Sequence, residues 1–98
     1  SSQLHEVISP HMGNKYDPDY TELAKWVYSR ANCVILCGPC NVAIGGGSSK
    51  RDELLRYNMG LYGPDEVIVT LRAIAKLSSK DRIPAHIEFN GKVYHVHN

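Results

Sequence analysis

The stretch from Asn32 to Cys40 constrains the fold of this 98-residue chain more than any other, because all three cysteines lie within it. The apolar run Cys33 to Leu36 is short and rich in β-branched residues, which predicts a buried strand. It ends in Cys37-Gly38-Pro39-Cys40, where glycine and proline favour a turn. Two thiols two residues apart can form a disulfide, contribute to a metal site, or be small buried side chains. The spacing alone leaves these alternatives open.

Composition and charge are those of an ordinary soluble globule, with 43% hydrophobic residues and a formal net charge of +1. This balance provides no bulk attraction to nucleic acid or to a membrane surface. No apolar run approaches the roughly 20 residues of a membrane helix, and the first residues lack the order of a signal peptide. Three clustered cysteines do not resemble a secreted disulfide framework. We therefore expect one domain, residues 1–98, in a reducing, cytoplasmic compartment, with neither nucleic acid nor a membrane as partner.

The first half of the chain predicts a strand followed by a helix. Leu4 to Ile8 fits a short strand, and Asp17-Pro18-Asp19 has the acids and the proline typical of a helix start. Apolar side chains then recur at helical spacing, and we expect Trp26, beside this stripe, to belong to the core. The stripe comprises Tyr20, Leu23, Ala24, Val27 and Ala31.

The middle of the chain contains one clear loop and one ambiguous segment. The glycine run from Gly45 to Lys50 lacks the spacing of a phosphate-binding Walker motif and predicts a flexible loop. A helix from Lys50 to Met59, capped by Ser49 and ended by Gly60, should follow it. Residues 65–79 fit either one helix or a strand to about Leu71 and then a short helix, because helical spacing competes with four consecutive β-branched residues.

The C-terminal stretch predicts a β-hairpin, since Ala85 to Phe89 and Lys92 to His97 flank Asn90-Gly91. Pairing Phe89 with Lys92 places His86 opposite His95, with His97 two residues further on the same face. Three imidazoles in this arrangement are either metal ligands or a solvated edge.

Two segments resemble the thioredoxin family. Cys37-Gly38-Pro39-Cys40 is identical to the family's active-site motif, and Arg82-Ile83-Pro84 followed by Phe89-Asn90-Gly91-Lys92-Val93 looks like its cis-proline and final hairpin. The resemblance implies an α/β fold: a compact thioredoxin-like sheet with flanking helices and a C-terminal β-hairpin, lacking the last helix. The implied element order requires a strand at Val67 to Leu71.

The resemblance also implies roles for individual residues. Cys37 would be the nucleophile and Cys40 the resolving thiol, acting on protein thiols and disulfides without a cofactor. Ile83 and Pro84, joined by a cis bond, would hold the substrate together with Gly38 and Pro39.

Two other functions remain open. In one, zinc is bound by Cys33, Cys37 and Cys40 with one histidine from His86, His95 or His97, a closed Cys₃His set. In the other, the chain is a small protein-interaction domain whose cysteines belong to the core.

Overall fold

The computed structural model describes residues 1–45 and 50–98, a mixed α/β arrangement of four α-helices and two small antiparallel sheets. None of the described helices has the length and apolarity needed to cross a membrane. A short 3₁₀ turn, Arg30–Asn32, precedes the second strand. The elements are β1 (Ser2–Glu6), α1 (Tyr20–Val27), β2 (Cys33–Cys37), α2 (Gly38–Ile44), α3 (Arg51–Tyr62), α4 (Pro64–Leu77), β3 (His86–Phe89) and β4 (Lys92–His95).

The first sheet pairs β1 with β2 in an antiparallel register that sets Leu4 opposite Ile35 and Glu6 opposite Cys33. The strand predicted for Cys33 to Leu36 is confirmed, but its complete burial is wrong. Val34 is buried, whereas Ile35 keeps 64% of its surface exposed. A two-stranded sheet buries residues only where another element covers it, so Ile35 and Cys37 in the second half of β2 are exposed.

Residues 64–77 form the single helix α4, which settles the ambiguity of that segment in favour of the helix. Gly63 precedes it with a φ of 94°, a conformation that glycine adopts readily, and Pro64 is its first residue. Val67, Leu71 and Ile74 recur on one face and are fully buried. Burial of this face outweighs the β propensity of the four branched residues. The strand that the thioredoxin-like order requires at Val67 to Leu71 is therefore a helix.

Two helix boundaries also differ from the predictions. The first helix begins at Tyr20 rather than at Pro18, because the acids and Pro18 form a preceding turn in which the Tyr20 N–H donates to the Asp17 carbonyl. Helix α3 continues through Gly60 to Tyr62, and Gly63 is its C-cap. Residues 46–49, which contain most of the predicted glycine loop and the predicted cap at Ser49, lie outside the described residues.

The second sheet is the predicted C-terminal hairpin, and its register is confirmed. Ile87 lies opposite Tyr94, and His86 lies opposite His95. Asn90 and Gly91 both have positive φ, 52° and 81°, as the tightest hairpin turns require. This hairpin and the β1–β2 pair are separate sheets, whereas the thioredoxin resemblance implies one shared sheet.

One contiguous hydrophobic core joins α1, α3 and α4 to the hairpin. The β1–β2 pair lies beside this core and is attached to it by two buried asparagines. Asn32 donates to the carbonyls of Ile8 and Val27 and accepts from the Ile8 N–H. Asn58 of α3 donates to the carbonyls of Ala31 and Cys33. The core residues are Ile8, Leu23, Val27, Ala31, Leu55, Met59, Val67, Ile68, Leu71, Ile74, Ala75, Ile83, Ile87 and Val96.

Candidate dithiol site

The two exposed thiols lie where β2 passes into α2. Cys37 is both the last residue of β2 and the N-cap of α2, and its sulfur accepts a hydrogen bond from the backbone N–H of Cys40 at 3.4 Å. Helix starts usually use an oxygen of Ser, Thr, Asp or Asn for this bond. Pro39 occupies the first turn, where its missing N–H leaves no partner unsatisfied. The Cys-Gly-Pro-Cys sequence therefore produces a helix start rather than an isolated turn.

The two thiols are free and occupy different electrostatic environments. A hydrogen bond from the Cys40 thiol lowers the pKa of Cys37, and the bond from the Cys40 backbone N–H acts in the same direction. The same thiol–thiol contact and the nearby Cys37 charge raise the pKa of Cys40. Cys37 is thus the thiol of the pair that more readily becomes a thiolate.

A polar chain that the sequence analysis missed holds α2 against β1. The Asn41 side chain donates to Gln3 Oε1 at 3.0 Å, and its Oδ1 is 2.9 Å from His5 Nδ1. Asn41 directly follows Cys40, so these bonds position the helix that carries the dithiol. Because 36 and 38 residues separate the partners, no local pattern in the sequence indicates the pairing.

The glycine and proline between the thiols differ in their surroundings. Gly38 is half-buried, and a β-carbon added there would lie 3.3 Å from Gln3 Nε2, a close approach. Pro39 is exposed. Of the two predicted substrate-binding residues within the motif, only Pro39 presents an open surface.

Ile83 and Pro84 differ from the predicted substrate-binding peptide. The bond between them is trans, so the expected cis bond is wrong. Ile83 is a core residue whose N–H donates to the Lys80 carbonyl and whose carbonyl lies 2.9 Å from His97 Nε2. Both backbone polar groups of Ile83 are already used within the chain, and Pro84 is buried and has no N–H to offer.

The structure does not bring the six predicted zinc ligands together. Cys33 is buried with its sulfur 3.5 Å from the Val27 carbonyl, and burial raises the pKa of its thiol to about 11, which opposes the thiolate that zinc requires. The rings of His86 and His95 lie 6.3 Å apart, while His97 turns to Ile83. Among the described residues, which include all six, no three His, Cys, Asp or Glu side chains are grouped to hold a metal.

Because the comparisons with known proteins found no match, the function is inferred from this geometry. No family model, curated protein or solved structure matches the chain.

Proposed function

We propose that the protein exchanges thiols and disulfides through Cys37 and Cys40. The observation that supports this most is the hydrogen-bonded pair itself: two exposed, free thiols on one helix start, with the pKa of Cys37 lowered and that of Cys40 raised. A buried structural cysteine would have the opposite character, as Cys33 does.

The exchange proceeds in two balanced steps. The Cys37 thiolate attacks one sulfur of a substrate disulfide; a bond from Cys37 to that sulfur forms, the substrate S–S bond breaks, and the other substrate sulfur leaves as a thiolate that takes up a proton. Cys40 then loses its proton and attacks the Cys37 sulfur, which forms the Cys37–Cys40 disulfide and releases the second substrate thiol. The substrate gains two electrons and two protons, which the dithiol loses. The reverse sequence oxidises a substrate dithiol.

The test is a redox titration of the purified protein in mixtures of oxidised and reduced dithiothreitol, with alkylation and mass spectrometry at each point. We expect Cys37 and Cys40 to lose and regain two thiols together, reversibly, at one potential. The Cys40→Ser variant should accumulate a mixed disulfide on Cys37, because the second step is removed. The Cys37→Ser variant lacks the attacking thiol, so its reaction with small disulfides should be much slower than that of the unsubstituted protein.

Cys33→Ala is the matched control, since its buried thiol takes no part in the exchange. Metal analysis accompanies the titration. Stoichiometric zinc that protects Cys37 and Cys40 from alkylation would contradict the proposal, as would a dithiol that never forms the intramolecular disulfide.

A further inference from the structure

The edge of β2 that faces away from β1 is open at Ile35. The Val7 N–H donates to the Asn32 carbonyl at 2.7 Å. This bond determines which opposite residues of β1 and β2 form hydrogen-bonded pairs and which do not. Because hydrogen-bonded and non-bonded pairs alternate along antiparallel strands, Val34 and Leu36 bond to β1, and Ile35 directs its N–H and carbonyl to the other edge. Within the described residues, these two groups of Ile35 have no hydrogen-bond partner.

An apolar groove of about 450 Å³ runs between this edge and helix α3. None of the described residues that line it is charged, and Ile35, Tyr57 and Leu61 keep more than half of their surface exposed. Exposed apolar surface of this kind, next to unpaired strand groups, is a typical site for an added strand. Leu36, Leu54 and Asn58 are among the other described residues that line the groove.

Asn58 of α3 is one of the residues that line the groove, and it also holds the start of β2. Its side chain is 1% exposed, and its amide nitrogen donates to two backbone carbonyls. Its Oδ1 is buried and accepts no hydrogen bond from the described residues. An unpaired buried acceptor of this kind costs about 1–3 kcal/mol.

We propose that the substrates of the dithiol are disulfides carried by extended, apolar protein segments, which bind as a third strand along β2 with their side chains in the groove. This rests on the proposed exchange function. A strand rises about 3.3 Å per residue, so a segment paired with Ile35 brings a cysteine two positions along it beside Cys37, where β2 ends. The backbone groups of Ile35 supply affinity, and the uncharged walls select aliphatic and aromatic neighbours of the substrate cysteine.

The test compares two synthetic peptides that carry the same thionitrobenzoate-capped cysteine, one with Val and Leu neighbours and one with Ser neighbours. The reduced protein should release thionitrobenzoate from the apolar peptide faster. Leu61→Ser and Tyr57→Ser should each lower the second-order rate with the apolar peptide by about tenfold, the effect of losing one buried apolar contact. Their rates with the Ser peptide should not change.

Val69→Ser and Tyr16→Ser are the matched controls, because these side chains are 52% and 81% exposed and lie outside the groove.

A second test uses N-methylated apolar peptides. Only methyl groups on alternate amides should lower the rate, since alternate N–H groups of a strand face its neighbour. A third test adds an apolar peptide with Ser in place of Cys and measures hydrogen exchange, where the Ile35 amide should become protected.

The outcomes separate this inference from the exchange function. If the dithiol reduces a small disulfide but groove and control variants behave alike, the inference is overturned and the exchange function stands. If no disulfide reacts, the exchange function fails, and the inference that the bound segments are its substrates fails with it. Protection of Ile35 by the Ser peptide would then show only that the edge of β2 binds an extended segment. Protection of Ile35 in the free protein, with a dimer in solution, would assign the edge to a second copy and overturn the inference.

Discussion

Two chemically identical side chains, Cys37 and Cys40, have thiol pKa values shifted in opposite directions because one accepts hydrogen bonds and the other donates them. The Cys37 sulfur receives both the thiol and the backbone N–H of Cys40, and each bond favours the thiolate. Cys40 faces a neighbouring charge that disfavours its own ionisation. The order of attack in the proposed exchange follows from this difference alone.

Alkylation by iodoacetamide should therefore distinguish the two thiols by pH. We expect the rate at Cys37 to reach half its maximum below the ordinary thiol pKa of about 8.5, and the rate at Cys40 to do so above it. Cys40→Ala removes the thiol hydrogen bond and should move the Cys37 profile to higher pH. Peptide mapping by mass spectrometry gives each rate separately. An unchanged Cys37 profile in that variant would show that the Cys40 thiol does not lower the pKa of Cys37.

Asn32 is the residue on which attachment of the β1–β2 pair depends most. Its fully buried side chain makes three hydrogen bonds to backbone groups of Ile8 and Val27. Asn32→Ala leaves these groups unsatisfied and should lower the free energy of unfolding by about 3 kcal/mol. Asn14→Ala is the control, because it removes an exposed bond to the Tyr16 N–H and should cost about 0.5 kcal/mol. Urea denaturation measures both, and equal losses would contradict the assigned role.

Among the elements, those specified by neighbouring residues could be predicted from the sequence. Asn90-Gly91 defines the hairpin and its register because the turn geometry depends on these two residues. Residues 65–79 stayed ambiguous because local β propensity and helical spacing disagree, and only burial of Val67, Leu71 and Ile74 in the assembled core decides between them.

The candidate site, too, could be predicted only where neighbouring residues specify it. The spacing of Cys37 and Cys40 identifies the dithiol, but the bonds that position it join residues far apart in the chain. Asn41 reaches Gln3 and His5, and Asn58 reaches Cys33. A buried or bridging asparagine has no periodic signature, so these contacts follow only from the fold.

Two glycines, Gly60 and Gly91, should respond in opposite directions to replacement by alanine. Gly91 has a φ of 81° in the hairpin turn, so Gly91→Ala should lower the free energy of unfolding by about 1–2 kcal/mol. Gly60 lies inside α3, and an added β-carbon there would contact nothing within 4 Å. Gly60→Ala should therefore raise the free energy of unfolding by about 0.5–1 kcal/mol. Destabilisation by Gly60→Ala would instead support a helix that ends at Gly60.

At the scale of the whole molecule, the dithiol lies on a part of the fold with its own, smaller stabilisation. The hydrophobic core is formed by α1, α3, α4 and the hairpin, and β1 and β2 contribute none of its residues. The β1–β2 pair depends on its own ladder, on two asparagines and on the burial of Cys33 and Val34 at the start of β2. Segments with few buried apolar contacts open at a lower free energy than the global unfolding of the protein.

Native-state hydrogen exchange should resolve this difference. We expect the Leu71 and Ile74 amides of α4 to exchange only through global unfolding, and the Val34 and Leu36 amides of β2 to exchange through a local opening of lower free energy. Asn32→Ala should lower the opening free energy of Val34 and Leu36 by at least as much as that of α4, because the substitution releases the β1–β2 pair from the core. Exchange measured by NMR across a urea series separates local from global opening, since only the latter depends strongly on denaturant. If Val34 and Leu71 share one opening free energy and one urea dependence, the dithiol segment unfolds with the core, and access to a third strand along β2 would have to come without local opening.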